Sequence, residues 1–302
     1  MKKIFLPITL FSIISIIAFQ SCDKIEPPYR EQVNVDTSCS FTPVSGGAYR
    51  KVLAEEFTGH LCGNCPPASI YLSDTLKPRY GDSLVVIAIH AKSFADVCPT
   101  AFACPGTQPA GSFTSDYRCD AGENWYTLYN TSAVNPIFMV NRISWTPTTI
   151  THLKQKNQLV TAISSQLLTL ATARLRIQNS FEDSSRKLRS CIETKFLAYL
   201  TGTFKLQVVL TEDSIIDWQL WYGHNPSEDV PDYIFHHVLR TSLNTSFGAA
   251  LVSGTIASDS TLVTGYNYVI PQNWNADQCH VVAFVYNDAT KEVIQVEESK
   301  VK

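Results

Sequence analysis

The sequence predicts an α/β stretch followed by an all-β stretch, on three observations. Two apolar runs rich in β-branched residues, within YRKVLAEEF and LVVIAI, flank a helical pattern. A Cys-x-x-Cys pair, Cys62 and Cys65, closes the first of these runs. After Ala173 the chain breaks into short alternating runs separated by polar turns.

The chain opens MKKIFLPITLFSIISIIAFQSCD, with Lys2 and Lys3 leading an apolar stretch from Ile4 to Phe19. At about 16 residues and with Pro7 inside it, this stretch is shorter than the roughly 20 residues a bilayer span needs. Residues 1–21 therefore read as a secretory signal peptide. Cys22 stands where lipoprotein signals place the acylated cysteine, which makes it the expected lipidation site; the alternative is an ordinary signal followed by an unmodified cysteine. Residues 22–47 read as a lipid-anchored tether, because DKIEPPYR is charged and holds Pro27 and Pro28. Asp23 and Glu26, close behind Cys22, resemble the short acidic signal that sends some Gram-negative lipoproteins to the cell surface.

In residues 48–172, Val52, Leu53 and Phe57 mark a strand suited to burial on both faces. Ile70, Leu72, Leu76 and Tyr80 recur at helical spacing from Ala68 to Tyr80, with Pro78 in the last turn and Gly81 as a stop. Leu84 to Ile89 supplies the next strand, and the order predicts a parallel βαβ unit. Residues 92–135, rich in Gly, Pro, Ser, Thr, Asn and Cys, read as an insertion with a short helix around Trp125 to Tyr129. Ile137 to Val140 returns to strand character. Ile150, Leu153, Leu159, Ile163, Leu167 and Leu170 fall on one stripe and predict an amphipathic helix over 149–170. In residues 173–302 the runs RLRIQ, FLAYL, TFKLQVVL, YIFHHVLR, YNYVIP and HVVAFVYN predict an antiparallel β-sandwich.

Nine cysteines in an exported chain point to an oxidising compartment. The formal charge of −3 becomes −5 once Lys2 and Lys3 leave with the signal, and no basic run stands out. Nucleic acid is thereby excluded as an expected partner. No later apolar run is long enough to span a bilayer.

A cysteine attacks as the thiolate, which a helix N-terminus in a CxxC motif favours. The order strand, CxxC, helix, strand resembles that of thioredoxins. That resemblance implies Cys62 as the attacking thiol and Cys65 as the resolving one. It also implies Glu56, in the acid-Phe pair six residues before Cys62, as a buried proton relay, although Glu55 would take its place after a one-residue slip. Pro136, after Asn135, would be a cis-proline shaping a groove for a partner's extended chain. The chain departs from thioredoxin at Leu61, where Trp is usual, at Gly63-Asn64, where Gly-Pro would lie, and in the Pro66 and Pro67 that follow directly. A small structural disulfide remains open as an alternative. A metal site of His60, Cys62 and Cys65 is weaker, since structural zinc takes four ligands. No metal and no cofactor are expected.

The segments VLAEEFTGHLCGNCPPA, FTSDYRCDAGENWY, NPIFMVNR, VVLTED, HHVLR and HVVAFVYN, in that order, resemble the outer-membrane lipoprotein family typified by the twenty-eight-kilodalton outer-membrane protein of anaerobic Gram-negative bacteria. The resemblance implies a thioredoxin-like domain followed by an immunoglobulin-like β-sandwich. It also implies attachment to the outer membrane through a lipid anchor, with an exposed face at the cell surface. Two functions stay open: thiol–disulfide exchange on an extracytoplasmic protein partner, or a non-catalytic adhesin or binding protein in which the CxxC is a fixed bridge. Cys98 with Cys104, and Cys191 with Cys279, are disulfide candidates from spacing and shared domain; Cys39 and Cys119 have no assigned partner. His224, His236 and His237 read as ordinary residues, adjacent histidines on a strand facing opposite sides.

Overall fold

The computed structural model describes residues 34–36, 38–44, 46, 48–98, 109–130, 134–144 and 156–302. The expected signal peptide, the lipidation site Cys22, Cys104, Ile150 and Leu153 lie outside them. A short strand, β1 (Asn34–Asp36), precedes β2 (Val52–Thr58) and β3 (Leu84–His90), which pair in parallel from Val52 opposite Leu84 to Thr58 opposite His90. Every residue of both strands is buried, which is why their composition is apolar without alternation. The crossover is helical: α1 (Pro66–Ile70), a π-helical turn over Tyr71–Leu76, then α2 (Lys77–Tyr80). Pro78 has no N–H to donate and its ring crowds the carbonyl four residues back, so the widened turn falls directly before it. Leu72 and Leu76 from this segment pack on Val86 and on Phe138 of the next strand.

The insertion contains α3 (Asp120–Tyr129), capped by the Cys119 sulfur, which accepts from Gly122 N. Strand β4 (Ile137–Val140) then runs antiparallel to β2, with Ile137 opposite Phe57. Helix α4 (Lys156–Leu167) buries Leu159 and Ile163 against the same sheet. It stops short of the expected end: Leu170, assigned to the apolar stripe, is 88% exposed beyond the helix.

The remaining strands are β5 (Ala173–Glu182), β6 (Lys187–Phe196), β7 (Leu200–Glu212), β8 (Ile215–Leu220), β9 (Asp229–Phe235), β10 (Val238–Ser242), β11 (Ala249–Ile256), β12 (Thr261–Val269), β13 (Cys279–Asn287) and β14 (Val293–Lys300). One sheet has the order β1-β12-β6-β5. The other runs β14-β13-β7-β10-β3-β2-β4, with β11 also on β7, so it crosses residue 172. The join is parallel, Val238 of β10 opposite Ala88 of β3. The sheet curls until Val293 N, opening β14, donates to Asn141 O just past β4 (2.9 Å). Inside the curl, Trp125, Tyr126 and Tyr129 of α3 pack with Phe57, Ile89, Phe284 and Tyr286. A second core lies between the two sheets around Ile192, Tyr266, Cys279 and Val281. The fold is thus mixed α/β and mostly sheet. Among the described residues, strands β8 and β9 pair only with each other, as a hairpin standing off the main sheet.

Two expectations about disulfides resolve differently. Cys98 is disulfide-bonded, while its candidate partner Cys104 is outside the described residues. The candidate Cys191–Cys279 is corrected: Cys191 is bonded to Cys39, and Cys279 is a free, buried thiol. Alternation explains it. Ile192 joins the core between the sheets, so its neighbour Cys191 faces the other side, whereas Cys279 lies within that core. Asp36 and Cys191 both stand opposite Gly265 of β12, where an added Cβ would lie 2.5 Å from the Cys39 sulfur. Gly265 leaves the space that the bridge fills.

Candidate functional site

The site begins where β2 hands the chain to the CxxC loop. A Cβ on Gly59 would fall 2.1 Å from Phe94 O, so only glycine lets Leu61 N reach that carbonyl (2.9 Å). Cys62 and Cys65 follow, joined as a disulfide with 5.4 Å between their Cα atoms. They are 2% and 1% exposed. The helix starts one step later than the motif suggests: α1 begins at Pro66 with Cys65 as its N-cap, and Cys62 precedes it in a turn closed by Cys65 N on Cys62 O (3.0 Å). Pro66 and Pro67 carry no N–H, so the helix start offers Cys62 few of the donors expected to hold a thiolate.

Glu56 lies beneath this turn. Its carboxyl accepts from Ser69 Oγ (2.6 Å), and Ser69 N donates to Cys65 O (3.1 Å), so one serine links the acid to the turn at Cys65. Burial pushes the Glu56 carboxyl up to about 8, against a smaller opposing effect of Ser69. Glu56 borders a cavity of about 20 Å³ that Ser69, His90, Gln219, Tyr233 and His236 also line. That is room for about one water. His90 Nδ1 has no hydrogen-bond partner there among the described residues, and burial lowers its ring to about 3, so the imidazole is neutral. The Asn135–Pro136 bond is cis. Pro136 stands just before Ile137, and Asn135 Nδ2 donates to Thr58 O (3.3 Å), which puts the cis bond at the sheet end from which the CxxC loop leaves.

Glu55 serves a different purpose from its neighbour. On the other face of β2 it pairs with Arg142 through Nε (2.8 Å) and Nη2 (2.6 Å). The guanidinium lies over the rings of Trp125, Tyr129, Phe284 and Tyr286, at 4.6 to 5.5 Å. Burial alone would depress Arg142, but the Glu55 carboxylate and the Tyr129 oxygen hold it above its ordinary value. This pair is internal scaffolding on the side of the sheet away from Ser69.

The β8–β9 hairpin, which sequence reasoning did not connect to the site, covers the disulfide. Leu220 N donates to His60 O (2.8 Å) and Tyr222 N to Gly63 O (2.9 Å). Gln219 Nε2 donates to Cys62 O (3.2 Å). His60 is not placed as a ligand: its Nε2 meets Asp96 O (2.7 Å). His236 and His237 are not in one strand, because the chain turns at His237 (φ 56°) between β9 and β10. Both rings therefore converge on Asp213, with Nδ1 atoms 2.7 and 3.4 Å from its carboxylate oxygens. His224 packs on Trp221 near the hairpin tip.

Comparison with known proteins gives a family and a fold. The sequence model of the family described as outer membrane protein Omp28 matches residues 123–302. No curated protein matches. HBP35 of Porphyromonas gingivalis superposes with a TM-score of 0.58 at 15% identity, over 85% of this chain and 77% of that one. A domain of the outer membrane lipoprotein Omp28 from Porphyromonas gingivalis is 22% identical over 44% of this chain and 91% of that chain, with a TM-score of 0.30. At that identity HBP35 shows a shared fold.

Proposed function

Because the chain belongs to the Omp28 family of outer-membrane proteins, we propose that it is a lipid-anchored, surface-exposed member whose thioredoxin-like portion exchanges disulfides with an extracytoplasmic protein. The observation that carries this reading is the link from the Cys62–Cys65 turn through Ser69 to the buried carboxyl of Glu56. An acid with its proton affinity raised to about 8 is matched to moving a thiol proton near neutrality. In the reduced state, the Cys62 thiolate attacks a partner's disulfide, forming a mixed disulfide and releasing one partner thiolate. In the minority of molecules whose Glu56 is ionised near neutrality, that carboxylate takes the Cys65 proton, and the Cys65 thiolate attacks the Cys62 sulfur. The second partner thiolate leaves, and the two electrons have passed to the partner. Pro136 borders the groove for the partner's chain. Cys22 carries the anchor.

A second reading has its own observation: both sulfurs are buried beneath the hairpin, as a fixed bridge in a binding protein would be. The reduction potential of the pair separates the two. A value above about −300 mV, with a mixed disulfide trapped by Cys65→Ser but not by Cys62→Ser, supports exchange. A value below it, with neither variant trapping a partner, leaves the binding protein.

A further inference from the structure

We propose that the β8–β9 hairpin is a hinged cover, and that the Cys62–Cys65 pair meets other molecules only when the hairpin lifts. Its functional meaning rests on the exchange reading above; its motion does not.

Three features make the hairpin a separate moving part. It is hydrogen-bonded into neither large sheet. It is seated on two small apolar clusters apart from the main cores. One joins Tyr117, Val230, Tyr233 and Phe235; the other joins Leu61, Cys98, Phe113 and Leu220. Small satellite clusters give up less buried surface on opening than a core does. Both ends are fixed to the body: Asp213 N donates to Gln278 O (2.9 Å) and Ala88 N donates to His237 O (2.8 Å). Positive φ at Ser214 (57°) and His237 (56°) marks the two bends between which the hairpin turns. Across those bends the Asp213 carboxylate accepts from both His236 Nδ1 (2.7 Å) and His237 N (3.2 Å) and so clasps the base shut.

The seat of the cover is equally specific. Tyr117 Oη donates to Asp217 Oδ2, and the ring of Phe113 meets Trp218. Gln219, Leu220 and Tyr222 then bind Cys62, His60 and Gly63 as a strand added along the CxxC loop. The Tyr222 ring lies on Gly63 so closely that an added Cβ would be 2.5 to 2.6 Å from three ring atoms. The cavity bordered by Glu56 has Gln219, Tyr233 and His236 as its hairpin wall. Lifting the hairpin therefore exposes the disulfide and the acid together.

The intact, oxidised protein tests this by amide hydrogen exchange and by the rate at which a small phosphine reduces Cys62–Cys65. The Leu220 and Tyr222 amides are expected to exchange at least about tenfold faster than those of β7 and β13, because they open by a local route. Gly63→Ala, which forces Tyr222 off its seat, is expected to speed phosphine reduction about tenfold, and adding Tyr222→Ala to restore slow reduction. Asp217→Ala, remote from the sulfurs, is expected to speed both readouts while the β13 amides keep their protection. The inference is overturned if Leu220 and Tyr222 exchange only together with β13. It is also overturned if Gly63→Ala and Asp217→Ala both leave reduction within about twofold of the parent. Neither readout depends on a protein partner, so an absence of exchange activity would remove the proposed function and leave the moving cover standing.

Discussion

Glu55 and Glu56 are neighbours with opposite fates, because successive side chains of β2 leave on opposite faces. Among the described residues Glu56 has a hydroxyl partner and no cation, so burial holds its carboxyl protonated, whereas Glu55 meets an arginine. The folded-state value of about 8 exceeds the ordinary 4.5, so folding favours the protonated form. That stabilisation is fully present below the ordinary value and is lost as pH rises through about 8. Glu56→Gln should remove this slope, and at pH 8 the variant should be more stable by on the order of a few kcal/mol. Denaturation at pH 5 and pH 8 reads it; equal slopes for both proteins would show that Glu56 does not titrate in this range. Arg142→Ala should cost about 3–5 kcal/mol, because it strands a buried carboxylate, and Arg142→Lys should recover little without the bidentate fork. Urea midpoints of these variants and of Glu55→Gln/Arg142→Met, expected to be the milder change, check this. Glu56 was legible through its spacing from Cys62. The partner of Glu55 lies 87 residues away, and no local pattern marks it.

Elements built from local patterns were the readable ones. The two parallel strands, α3 inside the insertion and most of α4 follow from apolar runs and helical spacing in their own residues. YIFHHVLR reads as one strand because its apolar residues are nearly continuous, yet the backbone turns at His237 and divides it into β9 and β10. The hairpin's place over the cysteines depends on contacts as distant as Gln219 with Cys62, 157 residues apart. Its clasp carries a pH signature. The hydrogen bond to Asp213 raises His236 above its ordinary 6.5, and that bond, with smaller help from His237, holds Asp213 below the usual carboxylate range against the effect of burial, while burial pushes His237 itself down toward its neutral form. Asp74 faces His236 as well, and Lys77 and Glu298 act on His237. A raised histidine stabilises the closed form fully below its ordinary value and stops doing so as pH rises through its folded value. Asp213→Asn should therefore hasten exchange at Leu220 and Tyr222 more at pH 6 than at pH 8.5, after correction for intrinsic rates. A pH-independent effect would assign the clasp to geometry alone.

At the scale of the molecule, the change of pattern near residue 172 is real in the strands but does not mark an edge of the sheet. β3 depends on β10 for its outer neighbour, and the Arg142 cage takes Phe284 and Tyr286 from β13. Residues 48–172 expressed alone would expose one side of β3 and open the core around α3. That fragment should show strand-like far-ultraviolet dichroism at most, with poorly dispersed amide resonances, whereas residues 34–302 should give a dispersed spectrum. A well-dispersed spectrum from the short fragment would show that its own core suffices. Composition could not reveal this sharing, since a strand pattern records which faces are buried and not which neighbour buries them.

The bridge from Cys39 to Cys191 also sets where a pull on the amino-terminal side is borne. β1 is only three residues long and pairs with β12 alone among the described residues, so it offers little resistance. With the bridge intact, the load passes at Cys39 into β6, which is paired to β5 on one side and β12 on the other and must part from both to move. Opening the bridge would let the chain peel onward past Arg176 and Arg174 toward β2, paying out about 40 Å of slack. Were the proposed anchor at Cys22 the point of attachment, the redox state of this bridge would decide which strand first bears a pull on the chain, separately from the chemistry of the CxxC pair.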